Sequence, residues 1–143
     1  MKTKSLVVLA LVPFVGCVNL TETGLFGEWS SRDDASLQVQ FVAEFSGAEA
    51  EQFFLADKNA NVYALKQDGV AFEAGQFEVQ EAISSLVLFV SFRDGAAITD
   101  EQCTYSLAQG DKAGDLQIGE LEAGSSPNCF AALGGADYDR AKE

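Results

Sequence analysis

The sequence predicts a mainly β protein. The expected architecture is an antiparallel meander of about eight strands forming a small barrel, with a β-sandwich as the alternative and one short C-terminal helix. Three observations carry that expectation. Apolar residues recur at every second position in segment after segment, the spacing of half-buried strands. Gly, Asp and Asn punctuate these segments at short intervals, most clearly at Asp68-Gly69, where both residues tolerate the positive φ of a two-residue hairpin turn. Stretches with helical periodicity are scarce.

The chain opens with Lys2 and Lys4, followed by the uncharged run SLVVLALVPFV from Ser5 to Val15. A membrane-spanning helix needs about twenty apolar residues, so this shorter run behind a basic start reads as an export signal. It ends Phe14-Val15-Gly16-Cys17. That ending resembles the lipobox of bacterial lipoproteins, with Phe14 where Leu is usual. The resemblance implies that the peptide is cut before Cys17, that the Cys17 sulfur carries a diacylglycerol and that the new N-terminus is acylated, with palmitate among the chains. One acyl chain holds a protein only marginally, at about 0.8 kcal/mol per buried CH₂, whereas two or three hold it stably. Val18 follows the cysteine, where Asp would imply retention at the inner membrane, so the resemblance points to the outer membrane, at its periplasmic or cell-surface face. Residues 1–16 are thus expected to be the signal, 17–28 a lipidated tether and 29–143 the β-rich domain.

Without Lys2 and Lys4, seven basic residues face 22 acidic ones, a net charge of −15. Nucleic acid, which demands a basic footprint, is excluded as a partner class. The carboxylates are spread along the chain, as on a solvated surface. Two cysteines remain beyond the anchor, Cys103 and Cys129. In an exported domain they are expected to form a disulfide. A metal site built on them would lack partners, because the chain contains no histidine.

Along the domain, Ser36–Phe45 places Leu37, Val39, Phe41, Ala43 and Phe45 on one face. Gln52–Ala56 and Val62–Lys66 read as two short strands joined by a turn at 57–61. VAFEA and QFEVQ follow, separated by Gly75. Ser85–Phe92 is apolar on both faces, which marks a strand covered on both sides, and Arg93-Asp94-Gly95 turns it. Gln102–Leu107 and Asp115–Ile118 complete the set. Ser126-Pro127 offers an N-cap and a first-turn proline for the helix, expected to run through Cys129, Phe130 and Leu133 to Gly134-Gly135.

Gly27-Glu28-Trp29, followed by a meander of strands, resembles the Gly-x-Trp start of lipocalins and related small barrels. The resemblance implies that Trp29 closes one end of the barrel and that an arginine near the C-terminus lies on its ring. Arg140 suits that role and Arg93 suits it less well. Asp57, Asn59 and Asn61 have the spacing of the first three calcium ligands of an EF-hand, but Val62 stands where that loop needs glycine and strand patterns flank it, so a turn is the expectation. Without histidine there is no Ser-His or Cys-His pair, and a non-enzymatic protein with no cofactor is expected. Eleven phenylalanines suit either a packed core or an apolar ligand cavity. The expected function is therefore the binding of a small hydrophobic molecule inside an anchored barrel. The alternative is an interaction module that assists an envelope or surface protein assembly.

Overall fold

A computed structural model of the chain describes residues 20–55, 61–109 and 115–140. Cys17, Asp57 and Asn59 lie outside them. Eight antiparallel strands close into one barrel, each paired with its neighbour in sequence and the last with the first. They are β1 (Gly27–Ser31), β2 (Leu37–Val42), β3 (Val62–Gln67), β4 (Val70–Gln80), β5 (Ser85–Arg93), β6 (Ala96–Gln109), β7 (Leu116–Leu121) and β8 (Ala136–Arg140). Closure leaves no unpaired strand edge.

The period-2 pattern builds the wall. On β2, Leu37, Val39 and Phe41 are buried while Gln38 and Gln40 alternate with them. The register sets Val39 opposite both Trp29 and Leu65, and Phe41 opposite Tyr63. Leu86, Leu88, Cys103, Tyr105, Leu116, Ile118 and Tyr138 continue the same interior core. The Asp68-Gly69 turn has φ of 52° and 82°, and Asp94-Gly95 has 49° and 87°, the doubly left-handed geometry that fits the twist of a tight hairpin.

Several local expectations are corrected. β2 stops at Val42, so Phe45 leaves the barrel face and packs outside with Phe53, Val62, Ala64, Ala74 and Phe92. The described part of the expected strand Gln52–Ala56, residues 52–55, contains no strand. Instead a one-turn helix, α1 (Gly47–Gln52), is held by a reciprocal cap: Glu49 N–H donates to Ser46 Oγ (3.1 Å) and Ser46 N–H donates to Glu49 Oε1 (3.2 Å). VAFEA and QFEVQ are one strand, because Gly75 continues β4 where a Cβ would come within 2.0 Å of the Phe89 carbonyl oxygen. The expected C-terminal helix is only a 3-10 turn at Ala131–Leu133. β1 and β8, both carrying many polar residues, are strands that alternation alone does not predict. The folded part also reaches back before Trp29: Leu25 is fully buried, and Gly27 and Glu28 belong to β1.

Candidate functional site

One end of the barrel is closed by the N-terminal segment. A 3-10 turn at Thr23–Leu25 sets Leu25 so that its carbonyl accepts the Trp29 indole N–H at 2.9 Å. Trp29 is fully buried and pairs with Val39 on one side and Arg140 on the other. The Arg140 guanidinium carbon lies 4.1 Å from the centre of the Trp29 ring, within cation–π range. Its nitrogens donate to the carbonyls of Phe26 (2.7 Å) and Gly24 (3.1 Å). Gly27 has φ of 133°, and a Cβ there would come within 2.7 Å of the Arg140 guanidinium. Glu22 ties this segment across to the far wall, accepting from Asn61 Nδ2 at 2.8 Å and from the Val79 N–H at 3.3 Å. Asn61, a residue of the calcium-like pattern, thus serves as an anchor for the N-terminal segment.

The segment between β7 and β8 packs against the same core from the opposite side. Cys129 is bonded to Cys103, with Cα atoms 5.8 Å apart. Leu133 joins the core, and Phe130 lies edge-on to Phe72 with ring centres 5.1 Å apart. Tyr105 O–H donates to the Phe130 carbonyl (2.9 Å) and Tyr138 O–H to the Leu133 carbonyl (2.6 Å). Two interior tyrosines therefore hold the segment by its backbone.

An ionic cluster is enclosed in the barrel wall. Bulges after Leu65 and near Ser91 turn Glu73 and Arg93 toward one another across the β4–β5 pair. Arg93 donates to Glu73 through Nε (3.1 Å) and through one terminal nitrogen (2.9 Å), and it makes a close contact with Glu101. Tyr63 O–H donates to the other oxygen of Glu73 at 2.9 Å. Burial pushes the Glu73 carboxyl above its ordinary range, against the pull of Tyr63 and Arg93. Burial, followed by the Glu73 charge, also pushes the Tyr63 hydroxyl well up. Glu101 and the two cysteines converge within 4.8 Å, the spacing of a metal site, but both sulfurs are consumed in the disulfide and offer no thiolate.

Arg93, the less favoured partner for Trp29, thus belongs to this cluster. Of its partners, Glu73 belongs to no motif in the sequence, and Glu101, which beside Asp100 reads as an exposed turn residue, is instead nearly buried in β6. The one available signal was a glutamate on the apolar side of a strand, since Glu73 falls on the inward face of β4 with Phe77 and Val79.

The other notable feature lies on the outside. A cleft of about 450 Å³ opens beside β5 and β6, lined by Phe89, Val90, Asp100, Glu101 and Gln102. No family model, no curated protein and no solved structure matches the chain.

Proposed function

We propose that this chain is a lipid-anchored envelope lipoprotein whose lipocalin-like barrel acts as a non-enzymatic interaction module, meeting another envelope protein through its outer surface. One observation carries the reading: among the described residues, the middle of the interior is tightly packed. Trp29, Tyr63, Tyr105, Tyr138, Phe41, Leu65, Leu86, Leu88, Leu116 and Ile118 each leave less than 2% of their surface open to a water-sized sphere. A cavity fit for a ligand, typically about 300 Å³ or more, would leave its walls with measurable open area. The anchor rests on Val15-Gly16-Cys17 behind a short apolar run. The non-enzymatic character rests on the lack of histidine and on Tyr63, Glu73, Arg93 and Glu101 being engaged with one another.

A second reading places a small hydrophobic molecule in the barrel. It draws on the aromatic line Phe26–Phe77–Phe41, with ring centres 6.3 and 4.8 Å apart, which would have to part to admit it. Native mass spectrometry of the protein purified from its own membranes separates the two. The module reading expects acyl mass on Cys17, a retained polypeptide and no apolar small molecule. A stoichiometric apolar molecule released on unfolding would replace it with the second reading. Cys17→Ser should abolish palmitate labelling, and persistent label would refute the anchor.

A further inference from the structure

The outer wall formed by β4, β5 and β6 has a surface that barrel closure does not require. Phe89 faces outward opposite Gln76 and Gln102, and Phe92 faces outward opposite Ala74 and Ala97. Ala74 and Gln76 are two residues apart, so the bulge near Ser91 brings Phe89 and Phe92 to consecutive outward positions. Phe92 is covered by Phe53 and by Phe54, whose ring stacks on it at 6.4 Å and 27°. Phe54 and Phe89 themselves are 51% and 37% exposed.

Phe54 is held in that place against its backbone preference. Its φ is 58°, a region that bulky L-residues avoid. The Phe54 N–H donates to the Glu51 carbonyl at 3.2 Å, and the Ser91 hydroxyl holds the preceding carbonyl, that of Phe53, at 2.8 Å. A strained conformation fixed by its surroundings, with an aromatic ring turned outward, is a feature that clusters at binding surfaces. Beside it the wall opens. Between the pairs Val90–Glu101 and Phe92–Ala97, three residues of β6 oppose Ser91 alone, and Asp100 takes a φ of 57°. This is the cleft lined by Phe89, Asp100 and Gln102.

Charge selects the occupant. Among the described residues the four cations are all committed: Arg32 to Asp115, Asp137 and Asp139, Lys66 to Glu28, Arg93 to Glu73 and Glu101, and Arg140 to Trp29 and two carbonyls. None of these pairs neutralises Asp100 in the cleft or Glu78 on the adjoining strand. We propose that this wall docks an extended segment of a partner protein in which basic and apolar residues alternate. The proposal rests on the interaction-module reading and names its surface. Consecutive outward positions on a strand are about 7 Å apart, the spacing of alternate side chains in an extended peptide. Apolar side chains of that segment would pack on the exposed rings. Its cations would meet Asp100 and Glu78 and the faces of Phe54 and Phe89.

The test is an NMR titration of the full exported domain with an eight-residue peptide of alternating lysine and leucine, and with its glutamate–leucine counterpart. The expected result is saturable binding of the lysine peptide alone, with shifts confined to the amides around Phe54, Phe89, Asp100 and Gln102. Affinity should fall at least tenfold in Phe54→Ser/Phe89→Ser and in Glu78→Lys/Asp100→Lys, whose own spectra show that they fold. Shifts spread over the whole acidic surface, binding of the glutamate peptide, or unchanged affinity in either variant would overturn the proposal. A photo-cross-linking side chain placed at Phe89, or at Ile83 and Val70 as exposed apolar positions elsewhere, is then activated in intact cells. The expected result is an adduct through Phe89 to a lysine- or arginine-rich stretch of a partner. Protein adducts through Ile83 or Val70 alone overturn this surface and leave the module reading standing. No protein adduct at any position, together with a bound apolar molecule, overturns both.

Discussion

Trp29 is where sequence and structure meet most tightly at the scale of single residues. Its N–H is bound by Leu25, its ring lies under Arg140 and its backbone pairs with both β2 and β8. Trp29→Ala should cost about 3–5 kcal/mol, as for other buried aromatics. Arg140→Ala should cost less, and a double-mutant cycle should show a coupling of about 0.5–1 kcal/mol, since the guanidinium is open to solvent on one side. Strictly additive losses in urea unfolding would mean the stacked contact contributes nothing. Gly27, Trp29 and Arg140 were legible because a rare residue type stood at a recognisable spacing. Glu73 was not, because its one signal, a carboxylate in phase with the apolar face of β4, names no partner. Its test is pH. The carboxyl has a higher pKa folded than unfolded, so the folded protein holds the proton over a range where the unfolded chain has released it. Stability from this group is therefore full below the ordinary glutamate range and is lost as pH rises through the folded value. Glu73→Gln removes that dependence, so the stability difference, variant minus parent, should increase with pH across and just above the carboxylate range. A difference that decreases with pH would mean that Arg93, not burial, governs Glu73.

At the scale of elements, alternation identified the strands whose inward face is apolar and whose outward face is polar, β2 above all. It failed where that contrast was absent. β1 and β8 read GEWSS and ADYDR, with only Trp29 and Ser31, or Ala136 and Tyr138, buried in each. Such strands owe their conformation to the neighbours that accept their backbone hydrogen bonds. Gln52–Phe54 failed for the opposite reason: adjacent phenylalanines looked like a strand, but they cover the outside of the barrel behind α1. The sequence Ser46-x-x-Glu49 was the available signal for that helix. The disulfide was legible from the cysteine count and the expected export, and it joins β6 to the segment after β7. It closes a loop of 26 residues, so Cys103→Ser/Cys129→Ser should lose about 3–4 kcal/mol in thermal or urea unfolding. Hydrogen exchange should quicken first in the backbone of 122–135, while Tyr105 and Tyr138 keep the barrel closed. Uniform acceleration across all eight strands would contradict that order.

At the scale of the whole molecule, two properties stand out: a tightly packed barrel interior among the described residues and a strongly acidic composition. The proposed function draws on both: the first favours an outward-facing role and the second a cationic partner. Composition foretold the charge. It did not foretell the packing, because ten phenylalanines after Cys17 line a cavity or pack a core equally well until the register places them. Phe41 and Phe77 fall inside, Phe45, Phe53 and Phe92 cover the wall, and Phe54 and Phe89 face solvent. The single tryptophan stands within the packed interior and reports on it without a label. The most direct test is its fluorescence during titration of the purified barrel domain with long-chain fatty acid and with retinol. A filled barrel predicts emission typical of a buried indole, with neither saturable quenching nor a saturable spectral shift. A saturable change of 1:1 stoichiometry, abolished by narrowing the interior with Val39→Phe, would contradict it.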